Sequence, residues 1–179
     1  MIVDAVKIVG GNGNRHERDF YPTPSDCTEA LLSYLSVRRE PLGKAWECAA
    51  GDGNISRVLR RWGYEVVESD IQTGTDFLTA DLPNGVGWII TNPPFNQAEA
   101  FIRHALSFKI PFAFLLKSQY WHSKKRLPLF TEAPPSLILP LTWRPDFTGQ
   151  GASLLDMMWC VWDREMLDGT HYQPLERPR

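Results

Sequence analysis

Short apolar runs alternate along the chain with segments whose apolar positions recur every three or four residues. Runs at 44–48, 64–69, 86–91, 111–117, 136–141 and 157–163, bounded by Gly, Pro or charged residues, predict strands, and a short strand is expected near 76–79. Helical spacing appears between them. Ala30, Leu31, Tyr34 and Leu35 share one face; 55–62 reads as a helix that Gly63 can stop; Ala100, Phe101, His104 and Ala105 mark a helix over 96–108. Thr23-Pro24, with Asp26 close behind, reads as a helix start, Thr as N-cap and Pro at the first helical position. This alternation predicts an α/β fold: a seven-stranded, mostly parallel sheet with helices on both faces. The stretch 140–156 leaves little room for a crossover helix, so the last predicted strand is expected to run antiparallel.

Size and composition narrow the class. The 179 residues, 43% hydrophobic with seven Trp, suit one domain with a real core. The Gly-rich stretch at 10–14 and the charged residues after it predict a flexible arm over 1–18, with 19–179 as a single domain. No run approaches the ~18 apolar residues of a membrane span, and no signal-peptide core is seen. Cys27, Cys48 and Cys160 are widely spaced, and His16, His104, His122 and His171 form no ligand pattern, so neither a disulfide framework nor a metal is expected. A reducing cytoplasm is the expected compartment.

Net charge is −2, but it is unevenly spread. Residues 1–90 carry 9 Lys+Arg against 13 Asp+Glu, a balance of −4; residues 91–179 carry 10 against 8, a balance of +2. The basic, aromatic segment 120–126 stands out. Lys124, Lys125 and Arg126 suit phosphates, and Tyr120 or Trp121 could stack on a base, although the aromatics of an exposed helix may equally face a core.

The most telling residues are Asn92-Pro93-Pro94-Phe95, at the exit of the strand predicted over 86–91. Open α/β sheets bind ligands at such strand ends. The prolines fix φ and remove donors, leaving carbonyls as acceptors. Asn92 and the Pro93 carbonyl could both accept from one planar NH2 group while Phe95 stacks on the ring that carries it. A lone Asn-Pro would more often be a plain turn.

A second set precedes it. Glu47-Cys48-Ala49-Ala50-Gly51-Asp52-Gly53-Asn54 forms a Gly-rich turn after the first strand but lacks the pyrophosphate fingerprint GxGxxG. Asp70 closes the second strand about twenty residues on, where an acid can bind a ribose diol. Asp76-Phe77 could meet an adenine amine and ring. Each acid alone reads as a cap or loop charge; the ordered set is harder to obtain by accident.

Together these motifs resemble the class I S-adenosylmethionine-dependent methyltransferases, and among them the enzymes that methylate the exocyclic amine of adenine in DNA. Phe20-Tyr21-Pro22-Thr23-Pro24 resembles their opening motif, 47–53 the cofactor loop and 92–95 the catalytic motif, in the gamma order also found in small phage-borne enzymes. The resemblance implies a Rossmann-like methyltransferase fold and S-adenosyl-L-methionine as cofactor. It implies cofactor contacts from Tyr21, Thr23, Glu47, Ala49, Gly51, Gly53, Asn54, Asp70, Ile71, Asp76, Phe77 and Asn92. The catalytic set would be Asn92, Pro93, Pro94 and Phe95, with DNA met by Tyr120, Trp121, Lys124, Lys125 and Arg126. DNA is the implied partner, RNA or a protein glutamine amide the alternative substrate, and a phage or prophage setting the implied context. An inactive cofactor- or nucleic-acid-binding protein is the alternative from another class. Two departures stand out: no separate target-recognition domain is expected, and Phe95 replaces a more frequent Tyr, keeping the stacking face and losing only the hydroxyl.

Overall fold

The computed structural model describes residues 22–37, 43–149, 151, 155–163 and 169–178. The predicted arm over 1–18 and Tyr21 lie outside the described residues.

The described elements run α1 (Ser25–Ser36), β1 (Lys44–Glu47), α2 (Asn54–Arg61), β2 (Glu65–Glu68), β3 (Trp88–Thr91), α3 (Ala98–Ser107), β4 (Phe112–Lys117), α4 (Leu127–Glu132), β5 (Leu137–Pro140), β6 (Met157–Trp162) and β7 (His171–Tyr172), with 3-10 turns at Ile71–Thr73, Ser118–Trp121 and Lys124–Arg126. One seven-stranded sheet has the order β2-β1-β3-β4-β6-β5-β7. Pairs β2–β1, β1–β3, β3–β4 and β5–β7 are parallel, and β6 runs antiparallel to both β4 and β5. The antiparallel strand is therefore the one expected over 157–163.

The central strands are apolar on both faces, as a sheet covered by helices requires. Alternate residues feed two cores. Ala45, Ile90, Ala113, Leu115 and Trp159 pack with Leu31, Leu35, Val58 and Leu59 of α1 and α2. Trp46, Ile89, Phe112, Phe114 and Cys160 pack with Phe101, Ile102 and Ala105 of α3. Phe112 and Trp162, partners in register, stack at 4.7 Å. Trp159 Nε1 donates to the Cys27 carbonyl at 2.8 Å and so ties α1 to β6. All three cysteines are free and buried, and burial holds their thiols well above the usual range. No described helix is long and apolar enough to cross a membrane.

Three expectations change. Residues 76–79 form a turn, not a strand: Asp76 Oδ1 accepts from Leu78 N and its carbonyl from Thr79 N and Ala80 N, a local closure that competes with a ladder. The seventh strand is instead β7, which pairs with β5. Both its residues are exposed, so no alternation marks it in the sequence. The first helix starts one turn position late: Pro24, at φ −57° and ψ 138°, is the capping residue, and no side chain caps the helix. Thr23 is engaged elsewhere.

Candidate active site

Parallel strands place the carboxyl ends of β1, β2, β3 and β4 on one edge; the chain passes from β1 outward to β2 and then crosses back over β1 to β3, so the order reverses between β1 and β3. That is the crevice where open α/β sheets bind ligands. The four strand ends deliver, in turn, the 48–53 loop, Asp70, Asn92 and Lys117.

The loop after β1 is held by backbone bonds. Ala50 N donates to the Ser69 carbonyl at 3.0 Å, Ser69 N to the Glu47 carbonyl at 3.0 Å and Gly53 N to the Ala50 carbonyl at 2.7 Å. Gly51 and Gly53 have φ of 50° and 69°, the left-handed region that favours glycine. At Gly53 a Cβ would also stand 3.1 Å from Glu68 Oε1, so a side chain there would be strained by its φ and would push the Glu68 carboxylate aside. Asp70 then fastens the two loops. Its Oδ2 accepts from Gly51 N at 2.9 Å and its Oδ1 from Gln72 N at 2.8 Å. A carboxylate has about four acceptor positions, so a diol can still be received.

Beside Asp70, Ile71 is 67% exposed, an apolar surface placed at the mouth of the crevice. Phe77 differs from its expected role. It is 2% exposed and packs edge-on to Trp46 at 5.2 Å and against Phe101 at 4.7 Å, so its ring belongs to the core. Ile71 rather than Phe77 offers apolar contact to a ligand ring. Asp76, half-buried, closes its own turn through Leu78 N at 3.0 Å.

Glu47 is turned inward. Its Oε2 accepts from Ser56 N at 2.7 Å and, in a very short bond, from Ser56 Oγ. The carboxyl group thus caps the first turn of α2 from the strand. Burial pushes its pKa up to about 8, against the pull of the Ser56 bonds. Asn54 accepts from Arg57 on the surface, and Ala49 is half-buried against the α3-side core.

Asn92 is the centre of the site. Its Nδ2 donates to Thr23 Oγ1 at 3.1 Å, bridging the end of β3 to the segment that leads into α1. This is what Thr23 does in place of capping the helix. Asn92 Oδ1 is buried and has no hydrogen-bond partner among the described residues. An unpaired buried acceptor costs ~1–3 kcal/mol, a feature expected at a site built for a donor. Pro94 O accepts from Gln97 N at 2.9 Å, which sets the turn into α3. Phe95 is half-buried and packs at the edge of the α1-side core.

Lys117 and Arg103 belong to the basic, aromatic stretch 103–144, which suits a polyanion, but the sequence assigned neither a place at the site. Lys117 Nζ lies 4.2 Å from the centre of the Phe95 ring. The signal was present: it is the one charge in an apolar strand, Phe-Ala-Phe-Leu-Leu-Lys, and it closes that strand on the Asn92 edge. A groove of about 400 Å³ starts at Phe95 and is lined by Glu99, Arg103, Tyr120, Lys125 and Arg126 among others. The basic segment therefore borders the Asn92–Phe95 motif. Of the two placements open to its aromatics, the structure shows the core-facing one. Tyr120 is 6% exposed beneath Arg126, whose guanidinium lies 4.1 Å from its ring. Trp121 packs on Phe130 at 4.1 Å and donates to Met158 Sδ. Both rings are taken up by packing, because the 3-10 turn at Ser118–Trp121 directs them at the α3-side core; Lys124 and Lys125 remain exposed.

No protein-family model matches the chain, and no curated protein matches it by sequence. Solved structures do. A candidate class I S-adenosylmethionine-dependent methyltransferase from Listeria monocytogenes superposes with a TM-score of 0.61 at 12% identity, covering 98% of this chain and 71% of that one. A candidate RNA methyltransferase from Pyrococcus horikoshii gives 0.60 at 15% identity, covering 88% and 94%. The methyltransferase subunit of a type I restriction-modification system from Streptococcus thermophilus gives 0.56 at 10% identity, and there the chain spans about half the neighbour's length, 47%. At such identities the likeness is one of fold: a Rossmann-like, class I methyltransferase fold with its strand-end crevice in the usual place.

Proposed function

We propose that the protein is an S-adenosylmethionine-dependent methyltransferase acting on the exocyclic amine of adenine in DNA. The observation that carries this reading is Asn92, whose Nδ2 is anchored on Thr23 and whose buried Oδ1 lacks a partner among the described residues. The chain's own residues fit the cofactor. Asp70 keeps acceptor capacity for a ribose, Ile71 exposes an apolar surface next to it, and the glycine loop has no side chain at its two left-handed positions. When bound, the cofactor supplies an electrophilic methyl on a sulfonium leaving group, so a nitrogen–carbon bond forms, a carbon–sulfur bond breaks and the amine releases one proton.

The residues act by orientation. An aromatic amine is a poor nucleophile because its lone pair is delocalised into the ring. Asn92 Oδ1 and the Pro93 carbonyl accept its two hydrogens and favour a pyramidal nitrogen. Phe95 supplies the stacking face. In a duplex this geometry is out of reach, so the base is flipped or already single-stranded. The cations Lys124, Lys125 and Arg126 hold the phosphates, and the motif order supports a gamma-type, phage-like enzyme.

Transfer of labelled methyl from S-adenosylmethionine to duplex DNA, single-stranded DNA, RNA and a glutamine-containing protein tests the reading. Label in N6-methyladenine from DNA is the expected result. Label in RNA or protein alone would reassign the substrate, and binding of the cofactor with no transfer to any of them would favour a non-catalytic binding protein.

A further inference from the structure

The groove beside Phe95 has a composition that the amine clamp does not use. One wall is the start of α3, with Glu99 and Ala100 of its first turn and Arg103 one turn on; the other is the segment after β4, with Tyr120, Lys125 and Arg126. Three cations face one acid, and Glu99 is already paired with Arg103 at 3.1 Å. The amino end of α3 opens into the same space, where its N–H groups and dipole favour negative charge.

Tyr120 points independently to a ligand. It is 6% exposed, yet its hydroxyl is buried with no hydrogen-bond partner among the described residues. Burial pushes its pKa up to about 12, so at neutral pH the hydroxyl keeps its proton and remains a donor. An unpaired donor, a stacked guanidinium and a second arginine in one groove match the acceptor oxygens and charge of a phosphodiester. The groove's volume of about 400 Å³ admits one phosphate with its sugar.

We propose that this groove is a phosphodiester subsite, holding the backbone phosphate that adjoins the methylated nucleotide through Arg103, Arg126 and the Tyr120 hydroxyl. The inference rests on the reading of Asn92–Phe95 as a base clamp, because Phe95 is the wall the two sites share. A base stacked on Phe95 sends its own backbone into the groove. The phosphate contact then sets the register of the strand while the clamp selects the amine.

The test is a fluorescence-anisotropy titration of the full chain with a single-stranded DNA dodecamer carrying one central adenine. Its linkages are neutralised one at a time as methylphosphonates. The parent should lose about tenfold in affinity at one linkage next to the adenine and little elsewhere, the scale of a charge-assisted contact. Arg103→Gln and Tyr120→Phe, conservative changes at the groove surface and at a single hydroxyl, should each weaken binding of the unmodified strand and respond less to that linkage than the parent, Arg103→Gln more so because it also removes a charge. Variants that keep the parent's affinity and its full linkage profile overturn the subsite. So does a parent that binds the strand and methylates adenine yet shows no sensitive linkage beside it; the clamp then stands and the groove alone falls. A parent that neither binds the strand nor transfers methyl to DNA removes both.

Discussion

The loops after β1 and β2 and the loops after β3 and β4 share one edge of the sheet but are finished differently. In the first pair, polar groups satisfy one another. Asp70 takes both Gly51 N and Gln72 N, and Glu47 takes both groups of Ser56. In the second pair, acceptor and donor are left open: Asn92 Oδ1 and the Tyr120 hydroxyl are buried without partners among the described residues. Natural proteins leave few such atoms, and each one asks for an explanation. On the proposed function, the contrast separates a cradle that folds on its own terms from a reaction side whose Asn92 and Tyr120 groups substrate would complete.

Substitutions can break that contrast, and the largest effect is expected at Asn92. Asn92→Ala should lower methyl transfer by ~10²–10³, the scale for removing one oriented polar group at a reacting centre, with cofactor affinity within a few-fold of the parent by calorimetry. Joint loss of cofactor binding would show that the two regions are not separable. Asp70→Ala acts on the cradle. It strands two backbone N–H groups and removes the ribose acceptor, so cofactor affinity should fall by roughly 1.5–3 kcal/mol and thermal stability with it. Unchanged affinity in a folded variant would move the cofactor elsewhere.

Smaller effects sharpen the comparison. Replacing Lys124, Lys125 and Arg126 together with Gln should weaken DNA binding and flatten its salt dependence by ~0.9 log units per log of salt for each lost phosphate contact. If affinity and slope both persist, the polymer lies along another surface, such as the Arg15–Arg18 segment. Glu47→Gln should be read by melting temperature against pH. The carboxyl has a folded pKa of about 8, against ~4.3 for an unperturbed Glu. The native state therefore holds the proton more firmly, and the contribution to stability is full below the ordinary carboxylate range and is lost as pH rises towards 8. The variant, neutral throughout, should show a flatter profile across that window; an identical slope would place the burial penalty on another group.

The sequence carried the parts of this account that depend on periodicity and on strand ends. Runs such as Phe-Ala-Phe-Leu-Leu-Lys are apolar on both faces because helices cover both, and the Asn92 motif is legible because it follows one of them directly. What escaped depends on tertiary pairing. Residues 76–79 look strand-like by composition, yet Asp76 closes them locally; β7 is too short and too exposed to show a pattern. Thr23 carries the sequence mark of a cap, but a partner 69 residues away holds its hydroxyl. Phe77, Tyr120 and Trp121 were expected at ligand faces because aromatics suit both stacking and cores, and composition alone does not separate the two. Arg103 is one cation of a basic stretch in the sequence, and only the fold pairs it with Glu99 and sets it in one groove with Arg126.

The central claim, an adenine-amine methyltransferase built around Asn92, is tested most directly by nucleoside mass spectrometry of DNA from cells that lack adenine methylation of their own. Cells expressing the parent should contain N6-methyladenine, and cells expressing Asn92→Ala at the same level of folded protein should not. Equal N6-methyladenine in both, or none with the parent despite a bound cofactor in the purified chain, would contradict the account.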